Sequence, residues 1–189
     1  MEIRSGYAHS GEIELHYEDL GDVTDPAVLL VMGLGAQLTL WHNDFCGKIV
    51  DRGYRVVRFD NRDVGLSSKL HGQWIGGSLI PKLLKSFLGL RGEAVYTLEN
   101  MADDAAAVLD HLGIERAHVV GASMGGMIAQ IFAARHPART GGLGIIFSSN
   151  NCPLLPPPAP RALLSLIKGP PPESPREVIV ENSVRVSKI

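Results

Sequence analysis

Ser123 sits in Gly121-Ala122-Ser123-Met124-Gly125, between the apolar runs His118-Val119-Val120 and Met127 to Ala134. A G-x-S-x-G pentapeptide joining a buried strand to a buried helix is the setting of an activated serine. The turn must be sharp for the hydroxyl to stand clear of the sheet, and glycines two before and two after remove side chains that would collide. The helix that follows would aim its N-terminus at the serine and favour negative charge developing there. Such a residue attacks an acyl carbon and carries the acyl group as an ester intermediate. Without its context the pentapeptide is only a Gly/Ser turn; the flanking strand and helix give it weight.

Two further segments bear on the same chemistry. Met32-Gly33-Leu34-Gly35 ends the apolar run Ala27 to Met32. A glycine-flanked turn there can present the backbone N–H of Leu34, which with that of Met124 would make an oxyanion hole; an ordinary strand-to-helix turn is the alternative. Asp60-Asn61-Arg62-Asp63-Val64-Gly65-Leu66-Ser67 closes the strand Tyr54–Phe59. Acids and an arginine around a glycine suggest a loop bonded to itself. The alternative makes Asp60 or Asp63 a catalytic acid.

These segments need strands and helices to hold them. Residues 12–17 alternate in polarity and pair with residues 2–8 through Ser10-Gly11. Helices are expected over 38–51, over 101–112 with Asn100 as cap and Gly113 as stop, and over 124–136, with strands at 117–121 and 143–147. The alternation implies a mainly parallel sheet preceded by an antiparallel hairpin. Residues 68–96 interrupt the rhythm: Ile80, Leu83, Leu84, Phe87 and Leu88 share one helical face opposite Lys82 and Lys85. That helix either packs beside the site or rests on a membrane surface. Residues 151–189 are proline-rich and cannot be sheet, with short helices expected at 163–167 and 177–188.

Taken in order, the MGLG turn, DNRDVGLS and GASMGG resemble the α/β-hydrolase superfamily, especially its bacterial esterase-like members, over residues 1 to about 150. Met32 stands where a His is usual, and Asp63 where a Gly is usual. The resemblance implies an α/β-hydrolase core with Ser123 as nucleophile and Leu34 and Met124 as oxyanion donors. Gly33, Gly35, Asp60, Arg62, Gly65, Gly121 and Gly125 would be structural. It implies hydrolysis of carboxylic ester, thioester or lactone bonds in a small apolar substrate, without a cofactor or metal. It also implies a core at residues 1–150, an insertion at 68–96, and the start of a cap at 151–189.

The family's acid and His follow the serine in sequence. Here the run Leu143–Phe147 leads into Ser148-Ser149-Asn150, and the only His after Ser123 is His136. At ~1.5 Å per residue of helix His136 lies roughly 18 Å away. The expectation is a chain truncated after its sixth strand, lacking on the order of 60 residues at ~30 per βα unit. It would be weakly active alone and prone to associate through an open edge at 143–147. The rival readings are a non-catalytic remnant that binds small molecules or another chain, and a half-protein completed by a partner.

Composition sets outer bounds. The 189 residues carry a formal charge of −2, with 45% apolar and 20% charged residues, which gives no electrostatic basis for a nucleic-acid partner. Cys46 and Cys152 form no disulfide framework or CxxC pair, so a cytoplasmic setting is expected. The N-terminus has acids where a signal peptide needs an apolar core. Residues 117–134 lack charge over a length near that of a membrane span, but their central glycines fit strand, turn and helix better. There is no HExxH, P-loop, GxGxxG or zinc-spaced Cys/His set.

Overall fold

A computed structural model describes residues 2–70 and 94–150, together with Cys152, Leu155 and Glu177. The helices expected at 80–88, 163–167 and 177–188 lie outside these residues, apart from helical Glu177. Residues Met1–Pro153 form one compact unit.

Six strands form one sheet: β1 (Ile3–Ser10), β2 (Ile13–Leu20), β3 (Ala27–Val31), β4 (Arg55–Phe59), β5 (Ala117–Ala122) and β6 (Thr140–Ile146), in the order β1-β2-β4-β3-β5-β6. β1 pairs antiparallel with β2, and β2 antiparallel with β4. The pairs β4–β3, β3–β5 and β5–β6 are parallel. The expected α/β architecture, a hairpin feeding a parallel sheet, is the one observed.

β3 and β4 are buried along their whole length, which explains their unbroken apolar or ion-paired sequence. On one face Leu15, Leu29, Val31, Val57, Phe59 and Val119 pack against α2 (Leu98–His111) and α3 (Met124–Arg135). On the other, Leu20, Val28, Leu30 and Val56 pack against Trp41 and Cys46, the latter on α1 (Asn43–Val50). The period-two alternation along each strand thus feeds two cores in three layers. Among the described residues no helix is long and apolar enough to cross a membrane.

Two helix boundaries differ from expectation. The segment 38–51 splits into a 3₁₀ turn at Leu38–Leu40 and α1, because the Trp41 carbonyl is turned inward to accept from Arg58 and from the Cys46 thiol. α2 starts three residues early. Thr97 is its cap, and Asn100 completes a capping box by accepting from the Thr97 N–H at 2.9 Å. Gly113, at φ 66, stops α2 as expected.

Charged side chains also staple the hairpin to the sheet. Arg55 grips Asp19 through two nitrogens at 2.9 and 3.1 Å, and Arg4 adds a bond at 3.0 Å. Burial alone would raise the Asp19 carboxyl, but the bonds from Arg55 and Arg4 outweigh it and hold the group below its ordinary 3.8. A depressed carboxylate contributes stability above its unfolded value and loses it as pH falls through the folded one. The melting temperature should therefore be flat down to about pH 5 and drop below about pH 4. Asp19→Asn should blunt that drop and cost on the order of 3 kcal/mol at pH 7, since buried Arg55 loses its partner; thermal melts across pH 3–8 check both.

Candidate active site

The parallel strands all end on one edge, and the candidate residues gather there. Ser123 lies between the end of β5 and the start of α3, at φ 54 and ψ −126. A non-glycine residue rarely adopts a left-handed φ, and such strain concentrates at functional turns. Although serine is a preferred helix cap, the Ser123 side chain makes no capping bond. Its hydroxyl is thus not used to cap the helix.

Close backbone packing makes the turn. A methyl group on Gly121 would run into the Gly125 carbonyl and reach within 2.6 Å of the Gly126 nitrogen. One on Gly125 would strike the Val31 carbonyl and come within 2.7 Å of that of Met32. The two glycines of the pentapeptide therefore let β5 fold back on its own helix and let that helix press against the end of β3. Gly126 is constrained as well: a methyl there would lie 2.5 Å from Ser148 Cβ.

The strand end after β6 holds the serine from the other side. The Ser123 N–H donates to the Ile146 carbonyl at 3.0 Å. The Ser123 carbonyl accepts from Ser148 Oγ at 2.6 Å and from the Gly126 N–H at 2.9 Å. Phe147, at φ 36, bends the chain between these contacts. Sequence reasoning treated Ser148 only as a place where an acid is missing; nothing in Ser-Ser-Asn marks it as a support for the turn.

The turn after β3 lies against the serine. A methyl on Gly33 would meet Ser123 Cβ at 3.0 Å and its Oγ at 3.4 Å. Gly33 accepts from the Ala36 N–H at 3.3 Å, and Gly35 takes the left-handed φ of 66 that closes the turn. Leu34, next to Gly33, has its side chain in solvent at 81% exposure. Met124 opens α3, so its N–H has no acceptor within the helix.

The loop after β4 is bonded to itself and to its neighbours. Asp60 accepts the Leu38 N–H at 2.7 Å and the Leu66 N–H at 2.9 Å, one on each carboxylate oxygen. Gly65, at φ 52, has no room for a side chain because the Asp60 carboxylate occupies that space. Arg62 forks onto Asp104 of α2 with two bonds of 2.6 Å, and Asp104 holds the guanidinium above its ordinary value. Asp63 tolerates φ 66, as short polar residues can, and accepts from the Leu70 N–H at 2.7 Å. Asn61, buried to 1% exposure, donates through Nδ2 to the Met32 carbonyl at 2.8 Å.

Histidines are placed elsewhere. His136 ends α3 at the far end from Ser123, against Phe132 and 3.8 Å from Asp103. His16 lies 3.6 Å from Asp60, His111 against Tyr17, and His118 against Tyr54.

Residues 26–176 match the family model of the alpha/beta hydrolase fold. The chain belongs to the α/β-hydrolase family. This α/β-hydrolase is 34% identical over 128 residues to a rhodomycin D methylesterase from Streptomyces peucetius, a span covering 68% of this chain and 37% of the relative. It is 31% identical to a 2-hydroxy-6-oxononadienedioate/2-hydroxy-6-oxononatrienedioate hydrolase from Paraburkholderia phymatum, covering 84% of this chain and 48% of that one. Among solved structures it superposes on a proline iminopeptidase-related protein from Thermus thermophilus with a TM-score of 0.62 at 26% identity, covering 78% of this chain and 45% of the other. The chain thus spans less than half the length of these relatives.

The glycine contacts give a paired prediction. Gly125→Ala should cost on the order of 3 kcal/mol, because the methyl meets backbone carbonyls that cannot rotate away. Gly47→Ala, in the middle of α1 with open space around it, should instead stabilise by about 0.5–1 kcal/mol. Urea melts of the two variants against the parent chain read both signs.

Proposed function

We propose that Ser123 is the nucleophile of an acyl-transfer hydrolase that acts on carboxylic ester, thioester or lactone bonds. The observation that carries this is the backbone of Ser123: a strained turn at a helix start, with the hydroxyl withdrawn from capping and facing the glycine turn after β3. Strain of this kind costs on the order of 1–3 kcal/mol and persists only where surrounding contacts impose it.

In this reading Ser123 Oγ bonds to the acyl carbon as its proton passes to a base. The carbonyl electrons move onto oxygen, where the N–H groups of Leu34 and Met124 receive the charge. Each such donor is typically worth about 3–4 kcal/mol in the transition state. Collapse expels the alcohol or thiol, which takes up a proton, and water then repeats the sequence to release the acid. The open N-terminus of α3 adds a favourable potential at the same point. Exposed Leu34, Leu66 and Phe147, on the loops after β3, β4 and β6, support an apolar substrate.

The base is assigned to residues outside those described, because none of the described histidines contacts Ser123 and His136 is a helix-length away. Asp60 is set aside as the acid, since both its carboxylate oxygens are taken by backbone N–H groups. The relatives' additional length is the proposed source of acid and His.

The test is hydrolysis of p-nitrophenyl acetate by the 189-residue chain and by Ser123→Ala, with and without imidazole as an added base. Without imidazole the chain should show at most the ~10³–10⁴-fold over water that oxyanion donors and binding leave behind, with little response to Ser123→Ala. With imidazole, an acetyl group should appear on Ser123 and be absent from the variant. Robust unassisted turnover that Ser123→Ala abolishes would place a base inside the chain. No acetyl-Ser123 under any condition would favour a non-catalytic binding role.

A further inference from the structure

We infer that Asn61 is a positioning residue for the turn that carries the oxyanion donor. The inference rests on the reading of Ser123 given above and extends it to a residue that neither the family resemblance nor the sequence pattern singles out.

The turn after β3 is held at both ends by the loop after β4. Asn61 Nδ2 donates to the carbonyl of Met32, the residue just before Gly33. Asp60 accepts the N–H of Leu38, where the 3₁₀ turn begins. Between these anchors the described backbone bonds are the turn closure from Ala36 to Gly33 and the bond that Gln37 accepts from Leu40. The Met32 carbonyl is also one of the two that Gly125 approaches, after that of Val31. Asn61 and the start of α3 therefore bear on the same peptide, the one joining Met32 to Gly33. Peptide planarity makes that carbonyl a lever: fixing its direction fixes the plane of the peptide that enters Gly33, one residue before the Leu34 N–H.

The amide orientation is determined by this contact. Turned over, Asn61 would set oxygen against oxygen at Met32, so the donor must face the carbonyl. Its own Oδ1 is then left buried without a partner among the described residues. A buried acceptor left unsatisfied is costly. A side chain kept only for core stability would avoid that cost; one kept to orient a peptide accepts it. Asp60 next door leaves no polar atom idle, which sharpens the contrast.

Asn61→Asp tests this directly, since it keeps the shape and removes the donor, and Asn61→Ala removes the side chain. Hydrogen exchange should quicken at least tenfold across residues 32–38 in both variants while β3, β4 and α3 stay protected. With imidazole and p-nitrophenyl acetate, the rate of Ser123 acetylation at saturating ester should fall at least tenfold, with half-saturation changed less than twofold. Asn61→His, which can restore an N–H donor, should recover part of both effects. Uniform loss of protection in all elements would mean a structural role only and overturn the inference. So would unchanged exchange at 32–38, or acetylation that falls through half-saturation alone. If the parent chain itself forms no acetyl-Ser123, the nucleophile reading fails, and exchange at 32–38 still decides whether Asn61 holds the turn.

Discussion

The approach of α3 to the end of β3 is the contact on which the site depends. Gly125 lies so near the Val31 and Met32 carbonyls that a single methyl group would force the helix away. That close approach sets Ser123, at the N-terminal end of α3, beside the Gly33 turn. Any larger side chain at 121 or 125 would move the serine and the helix end together. The contact costs conformational entropy, since glycine loses more freedom on folding than other residues. What it contributes is registry between two loops far apart in sequence.

That registry is reinforced by buried polar groups rather than by apolar packing. Asp60, Asn61, Ser67 and Asp104 are almost wholly buried, and the loop after β4 uses them to fasten β2, the 33–38 turn and α2. Apolar contacts are nondirectional and would let the turn slide by fractions of an ångström. Hydrogen bonds to backbone groups fix orientation, which matters where donors must meet a developing charge. A buried network of this kind is stabilising only when nearly complete, so its members are expected to respond to substitution as a unit.

Sequence patterning made the strands, their alternation and the strand–turn–helix at Ser123 legible, because period and glycine spacing are local signals. The boundary of α2 was misplaced because Asn100 and Thr97 both have capping chemistry, and only the bond pattern shows Asn100 serving Thr97 from inside the helix. The break at Trp41 was illegible because its cause, Arg58, lies 17 residues away on β4. Ser148 and Asn61 were missed for the same reason. Each acts on a backbone carbonyl, of Ser123 or Met32, and a carbonyl leaves no mark in the sequence of its partner. Asp60 is legible because acids and an arginine gather around Gly65 at a strand end, yet the donors to its two oxygens, Leu38 and Leu66, leave no such mark.

The chemistry divides along the same line between local and distant. In the proposed reading, charge stabilisation needs backbone N–H groups on two adjacent strand ends, and β3 pairs parallel with β5, in register from Ala27–Ala117 to Val31–Gly121, which sets those two strand ends side by side. Proton transfer needs a side chain of suitable pKa across the site, and nothing in the β3–β5 pairing can provide it. The first requirement would rest on the close packing of α3 against the end of β3. The second falls to residues whose position this packing does not determine. In that reading the turn at Ser123 can persist while the base that would activate it is supplied, exchanged or lost independently. The strain at Ser123 would persist in each case, because Gly125, Ile146 and Ser148 impose it without help from any base.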